Sequence, residues 1–239
     1  MDFKVLLLCI IGIAVIANSC GLSLSNKVTE GIIEYDLTYP DDDNPIVGLL
    51  PNTMILQFSD DKIAQKVESC FGMFKMGGIY DSNNASSVAY LKVLADKYLC
   101  VNEASFGYDE YPDMQIKYID EEKEIVGYKC KRADITVPGG RIETFSVWYT
   151  DEIELVNANF FNPFKDIPGV LLEFQYEMFD ITTSLKATKV EYVEVNNETF
   201  ATPSDFKRVS KEEMEEFIHQ NLIEPFNPDS SKTVKQATS

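Results

Sequence analysis

Histidine is the side chain that most often does acid–base work near neutral pH, and this sequence has one, His219. It falls on a helical stretch near the C-terminus, off the apolar face, and reads as a surface residue. Without a second histidine, a histidine-rich zinc site or a histidine-based triad is hard to assemble. Carboxylates are the opposite case. The chain holds 39 Asp and Glu against 21 Lys and Arg, for a net charge of -18. Such abundance makes any chosen pair uninformative about hydrolytic chemistry. Asp41, Asp42 and Asp43 could offer oxygen ligands to calcium. Their spacing lacks the alternation and central glycine of an EF-hand loop, and a solvated acidic turn is the simpler reading. No phosphate loop or dinucleotide fingerprint occurs. Nor is there the basic patch that a nucleic-acid partner needs. The expectation is therefore a non-enzymatic protein with no cofactor and no metal, a carboxylate-based hydrolase being the least favoured class.

The five cysteines divide by position. Cys9 lies in the apolar run Val5 to Ala17, shorter than the ~20 residues of a spanning helix but suited to a signal-peptide core. Cys20 follows Ala17-Asn18-Ser19 and precedes Gly21. This resembles a bacterial lipobox, whose cysteine takes a diacylglycerol and becomes the first mature residue. Ala17 departs from the usual leucine, and Lys4 is the lone positive charge ahead of the run. An ordinary secretory signal and an uncleaved anchor are the alternatives. Gly21 is not the aspartate of inner-membrane retention, and Leu22 to Asn26 lack the acidic cluster of surface export. The resemblance implies a Gram-negative protein on the outer membrane, facing the periplasm, with a signal peptide at 1–19 and a lipidated tether at 20–27. A protein this acidic is repelled by anionic membrane surfaces, so the acyl chains must do the tethering. Cys70, Cys100 and Cys130 remain, an odd number for an oxidising compartment. One disulfide plus a thiol, and three thiols, both stay open.

Strands must position whatever else the chain does. Gly31 to Tyr39 alternates apolar Ile33, Tyr35 and Leu37 with polar partners, the period of a half-buried strand. Further strand signals cover Met54 to Phe58, Ile63 to Cys70, Ser87 to Val93, Lys97 to Val101 and Met114 to Ile119. They recur about every ten residues, the habit of antiparallel sandwiches and barrels. Phe71 to Gly78 sets Met73, Phe74 and Met76 among glycines. It reads as a bulged core strand, or as an adaptable binding lip. Glu121 to Glu124 reads as a charged turn. Thr183 to Val195 has the mixed pattern of an edge strand. Phe160, Phe161 and Phe164 sit on the long connection from Asp151 to Asp166 and must pack on the sheet or at the mouth of a cavity. Ser210 with Glu213 forms a capping box ahead of Met214, Phe217, Ile218 and Leu222, which share a helical face until Pro225.

The most patterned stretch runs from Ile125 to Phe179. Val137-Pro138-Gly139-Gly140 supplies a turn, and Ile142 to Thr150 returns as a strand that is partly apolar on both faces. That pattern fits a sheet covered on both sides, or plain sandwich core. Pro168-Gly169 suits a type II turn. Beyond it Val170, Leu172, Phe174, Tyr176 and Met178 alternate against Leu171, Glu173, Gln175 and Glu177. Three groups of residues carry a family resemblance: Gly127-Tyr128-Lys129-Cys130-Lys131, Trp148-Tyr149-Thr150-Asp151-Glu152-Ile153, and Ile167-Pro168-Gly169-Val170-Leu171-Leu172-Glu173. They resemble the GLPGLI family of bacterial envelope proteins, and a domain family similar to the Lol-type lipoprotein carriers. Asp166, Ile167 and Val170-Leu171 depart from the GLPGLI signature, which favours the second family.

That resemblance implies a mainly β fold: a curved antiparallel sheet or half-open β-barrel over 28–224 with a C-terminal amphipathic helix, then a disordered tail at 225–239. It implies a lipid or acylated-chain ligand held in the half-open cavity, with Trp148 or Tyr149 beside Leu172 and Phe174 on its wall. A non-enzymatic interaction module with a solid core is the alternative. The expected partners are the membrane, through the anchor, and a lipid or lipoprotein. Changing Cys20→Ala should leave the protein unprocessed or soluble, as read by membrane fractionation and intact mass. Outer-membrane fractionation at the normal mature mass would refute acylation.

Overall fold

A computed structural model describes residues 29–40, 47–69, 72–102, 111, 113–178 and 181–225. The signal peptide, the Cys20 anchor and tether, the Asp41–Asp43 run, Cys70, Phe71 and residues 226–239 lie outside the described residues.

Twelve strands form one sheet. The first six are β1 (Glu30–Thr38), β2 (Thr53–Ser59), β3 (Lys62–Ser69), β4 (Phe74–Asp81), β5 (Ser86–Val93) and β6 (Asp96–Val101). The others are β7 (Gln115–Ile125), β8 (Tyr128–Thr136), β9 (Thr144–Thr150), β10 (Val170–Met178), β11 (Ile181–Glu191) and the short β12 (Lys207–Arg208). One helix, α1 (Lys211–Ile218), follows and continues as a π-helical turn over His219–Ile223. Two antiparallel meanders, β1 to β6 and β7 to β11, are joined where β1 pairs with β11. Only β12 runs parallel to its neighbour, β6.

The sheet is mainly antiparallel and is not closed into a barrel, since β12 and β7 are its two ends. It is nonetheless curled. β4 and β10 are five strand spacings apart in the sheet order, about 24 Å if it were flat. Yet Gly78 of β4 and Tyr176 of β10 wall the same small cavity. The inner face carries Ile33, Tyr35 and Leu37 of β1, Met54, Leu56 and Phe58 of β2, and Leu172, Phe174 and Tyr176 of β10, all buried.

Two segments cover that face. The connection 151–169 lies over one half, and α1 lies over the other through Met214, Ile218 and Ile223 against Ala89, Leu91 and Cys100. The chain reaches α1 by wrapping the β6 edge. Residues 195–206 first cross the outer face, where Phe200 and Phe206 pack on Ala64, Ile79, Val88, Tyr90 and Leu99. β12 then caps the edge, and α1 turns onto the inner side.

Three expectations need correcting. Glu121 to Glu124 is not a turn: β7 runs through it with a register shift after Ile119, and the turn is Val126-Gly127, both at positive φ. Alternating charge on a strand at the sheet's end looks like loop sequence because neither face of that run is fully buried. Thr183 to Val195 is not an edge strand. β11 sits between β1 and β10, with Ile181, Leu185 and Ala187 buried and Lys186 and Lys189 turned outward. Phe74–Asp81 pairs on both sides without a bulge.

The helix cap forms as its residues dictate. Ser210 Oγ accepts from the Glu213 N–H at 3.1 Å, and Glu213 Oε2 accepts from the Ser210 N–H at 2.8 Å. Ser210→Ala should cost about 1 kcal/mol in denaturant unfolding through the lost cap. An unchanged midpoint would show that α1 is held by packing alone.

Candidate functional site

The expected wall takes either Trp148 or Tyr149 beside Leu172 and Phe174, and the structure places each of these residues. Leu172 and Phe174 stand together on the inner face. Phe174 meets Tyr35 and Phe164 edge-on, with centroids 6.0 and 6.3 Å apart, and lies near parallel to Tyr176 at 6.0 Å. These contacts are core packing, and neither residue borders a described cavity. Trp148 pairs in register with Glu173, which alternates with Leu172 and Phe174, so the indole lies on the opposite face. Tyr149 is buried with its ring edge-on to Tyr118, centroids 6.2 Å apart. Of the candidate wall residues, Leu172 and Phe174 thus belong to a packed core, and Trp148 to an outer-face cluster.

That outer cluster is polar. Lys123 Nζ lies 4.1 Å from the Trp148 ring centroid and 2.7 Å from Glu173 Oε1, and Lys186 Nζ is 3.4 Å from Glu173 Oε2. Partial burial by itself would raise the Glu173 carboxyl. The Lys123 hydrogen bond, with the charges of Lys123 and Lys186, outweighs this and holds it below the ordinary carboxylate value. The thiols of Cys100 and Cys130 are both buried, in separate clusters, and the Cys130 thiol donates to the Tyr128 carbonyl at 3.6 Å. Burial pushes the Cys130 thiol up to about 11, so it is a protonated packing group at neutral pH. His219 sits beside Glu224, Nδ1 to Oε1 3.4 Å, at the end of the terminal helix. Among the described residues no three His, Cys, Asp or Glu side chains converge to hold a metal.

The volume behind the inner face is taken by the connection 151–169. Phe161 seats on Gly78, where an added Cβ would stand 2.6 Å from the ring. Phe160 stacks on Tyr80 at 3.7 Å, and Phe164 reaches Phe145 and Phe174. Asparagines hold the loop in this shape. Asn159 is buried and donates to the Ile167 and Gly169 carbonyls at 2.9 and 3.2 Å. Asn162 Oδ1 accepts from the Phe164 N–H at 3.0 Å, and Asn157 donates to the Tyr80 hydroxyl at 3.0 Å.

Between this plug and α1 the inner face keeps an apolar slot. It consists of two adjoining cavities of about 40 and 50 Å³ that share Leu37, Val67, Met76 and Met178. Met54 and Tyr176 wall the first, and Phe74, Ile181 and Ile218 the second. Phe74 and Met76 come from the stretch flagged as a binding lip, while Met73 turns to solvent. The remaining lining was legible only as alternating apolar positions of separate strands. Nothing in those strands signals that one gap between plug and helix unites them. The slot can take an apolar chain end and offers no reactive group.

No family model matches the chain, and no curated protein matches it. Among solved structures, that of PNGF-II is similar over 79% of this chain and 32% of that one, at 16% identity and a TM-score of 0.49. The chain thus spans about a third of that protein's length. At that identity and score the likeness says nothing about chemistry. The resemblance to envelope lipoprotein families rests on its three residue groups alone.

The Glu173 carboxyl sets a pH signature. Its folded pKa is depressed, so its ion pairs stabilise fully above the unfolded value of 4.5 and fade as pH falls through the lower folded value. Both partners are about one-third exposed, so Lys123→Met should cost only roughly 1 kcal/mol at neutral pH. The difference from wild type should shrink in acid below that value. A pH-independent difference in unfolding free energy would assign the whole effect to the Trp148 contact.

Proposed function

We propose that the chain is a non-enzymatic, lipid-anchored envelope protein that binds the apolar end of an acyl chain in the slot between the 151–169 plug and α1. It would stand on the periplasmic side of the outer membrane. The lining of the slot is the observation that supports this reading. Three methionines, Met54, Met76 and Met178, meet Leu37, Val67 and Ile181 there; the cavity on the α1 side has almost no polar surface, and Gln65 and Lys66 border the other. Methionine adapts to irregular apolar guests better than branched side chains do. A water molecule's share of liquid volume is about 30 Å³. Cavities of 40 and 50 Å³ therefore admit only a methyl-sized group each, and a longer chain enters as α1 lifts. α1 has eight residues and buries few side chains. A helix that short does not persist in water by itself, so its seat on the sheet is the gate. Cys20 supplies the anchor in this reading.

A second reading, an interaction module with a solid core, is favoured by one observation. Leu172, Phe174, Tyr35 and Phe164 pack in one cluster, and none of them borders a described cavity. Mass spectrometry of the purified protein and titration with a fluorescent fatty acid separate the two. Wild type should carry lipid and bind the probe. Met76→Trp should fill the slot, weaken the probe at least about tenfold, and cost only about 1–3 kcal/mol in stability from overpacking. A wild type that carries no lipid and takes no probe refutes the acyl-chain reading and leaves the interaction module.

A further inference from the structure

The largest described cavity is on the other side of the sheet. A groove of about 350 Å³ lies between the outer face of β2 to β5 and the strap 197–206. That volume falls in the range of small-molecule sites. Ala64, Ile79 and Tyr90 form its floor, and Phe206 closes one end with its ring edge-on to Tyr90 at 5.8 Å. Gly77 makes the floor possible. A Cβ there would stand 2.5 Å from the Tyr90 hydroxyl oxygen, so only glycine lets the phenol lie flat along β4.

Lys66 and Lys75 stand on one wall. In a chain of net charge -18, most lysines find carboxylates. Lys97 pairs with Asp205, Lys129 with Glu122, Lys131 with Asp151 and Lys189 with Glu191. Lys66 and Lys75 have no ion-pair partner among the described residues. Lys66 is registered opposite Gly77, and Lys75 is two residues from Gly77 on the same face. The two are therefore diagonal neighbours, about 7–8 Å apart at the backbone. Glu68, directly opposite Lys75, does not line the groove, and its carboxylate lies by the Gly72 turn. Glu198 is on the strap side, and Asp205 is held by Lys97. Both side chains leave the same face of the sheet, so an anion in the groove can meet two ammonium groups without displacing a carboxylate. Lys75 already lies over the Tyr90 ring, 5.8 Å from its centroid, so an anion there has an aromatic surface beside it.

We infer that this outer groove is a binding site for a small anion, carboxylate or phosphate, carried on a flat apolar body. Lys66 and Lys75 grip the anionic end. Tyr90, Ile79 and the strap take the body. Glu198 on the far side keeps the charged end at the lysine wall. The site lies across the sheet from the acyl-chain slot, with Gln65 and Lys66 of β3 bordering both, and it stands whether or not that slot binds lipid.

Calorimetric titration with phenyl phosphate, and with inorganic phosphate in parallel, tests the inference. Phenyl phosphate should bind saturably at low ionic strength, more tightly than inorganic phosphate, and less tightly as salt is added. Lys66→Gln and Lys75→Gln should each weaken it about tenfold, since each removes one charged hydrogen-bond donor. Both side chains stand on the groove wall, so thermal unfolding of the variants should match wild type. Ala201→Trp should remove the preference for phenyl phosphate over inorganic phosphate by filling the space for the ring. Lys92→Gln is the control. That lysine shares the face but donates to the Gly72 carbonyl at 2.7 Å, outside the groove. Absence of saturable binding overturns the inference. So does binding that survives both lysine substitutions, or that Lys92→Gln weakens equally.

Discussion

An open sheet with an apolar inner face must be covered by something other than a second sheet, and here the cover hinges on Phe161 resting on Gly78. A side chain at that glycine would occupy the ring's place. Remove the contact and the connection 151–169 keeps only the hold of Phe160 and Asn157 on Tyr80 at β4. Together with the Tyr80 contacts, it ties the curl of the sheet to its cover.

The two covers are built differently. The plug is stiffened by its own polar groups: Asn157, Asn159 and Asn162 satisfy backbone or hydroxyl partners that would otherwise be stranded under apolar rings. α1 has a good cap and little else of its own, and depends on Met214, Ile218 and Ile223 for its place. A firm cover beside a loosely attached one puts the flexibility of the inner face at one end, where the methionines are. The outer face has its own logic. There the strap leaves a gap over Tyr90 because the chain must pass the β6 edge before it can return as a helix.

Much of the fold was legible because alternation in a strand and a capping box are local. Pro168-Gly169, the rows of β1, β2 and β10, and the Ser210–Glu213 cap all lie where neighbouring residues place them. The misread elements are those whose meaning is set by position in the sheet. The Glu121–Glu124 run belongs to a terminal strand, and β11 looks like an edge because its outer face is wet, though it is central. The candidate site was legible only in part for the same reason. Alternation puts Leu172 and Phe174 on one face and Trp148 on the other, but the filling above that face comes from a loop far along the chain. The groove over Tyr90 was invisible, because Lys66 and Lys75 look like any solvated lysines until the strap walls them in.

The join between β1 and β11 has a consequence for how the protein is made. Ile33 pairs with Val190, so one side of β1 waits for a strand about 150 residues later in the chain. At the usual rate of 5–20 residues per second, that is roughly 10–30 s during which the N-terminal meander exists with an apolar, unpaired edge. Closing a contact of such long range is also slow once the partner arrives. Nascent chains of this protein are thus open to wrong strand pairing for longer than those of a hairpin-by-hairpin sheet. A holding chaperone that covers β1 until β11 emerges would act on its most vulnerable interval.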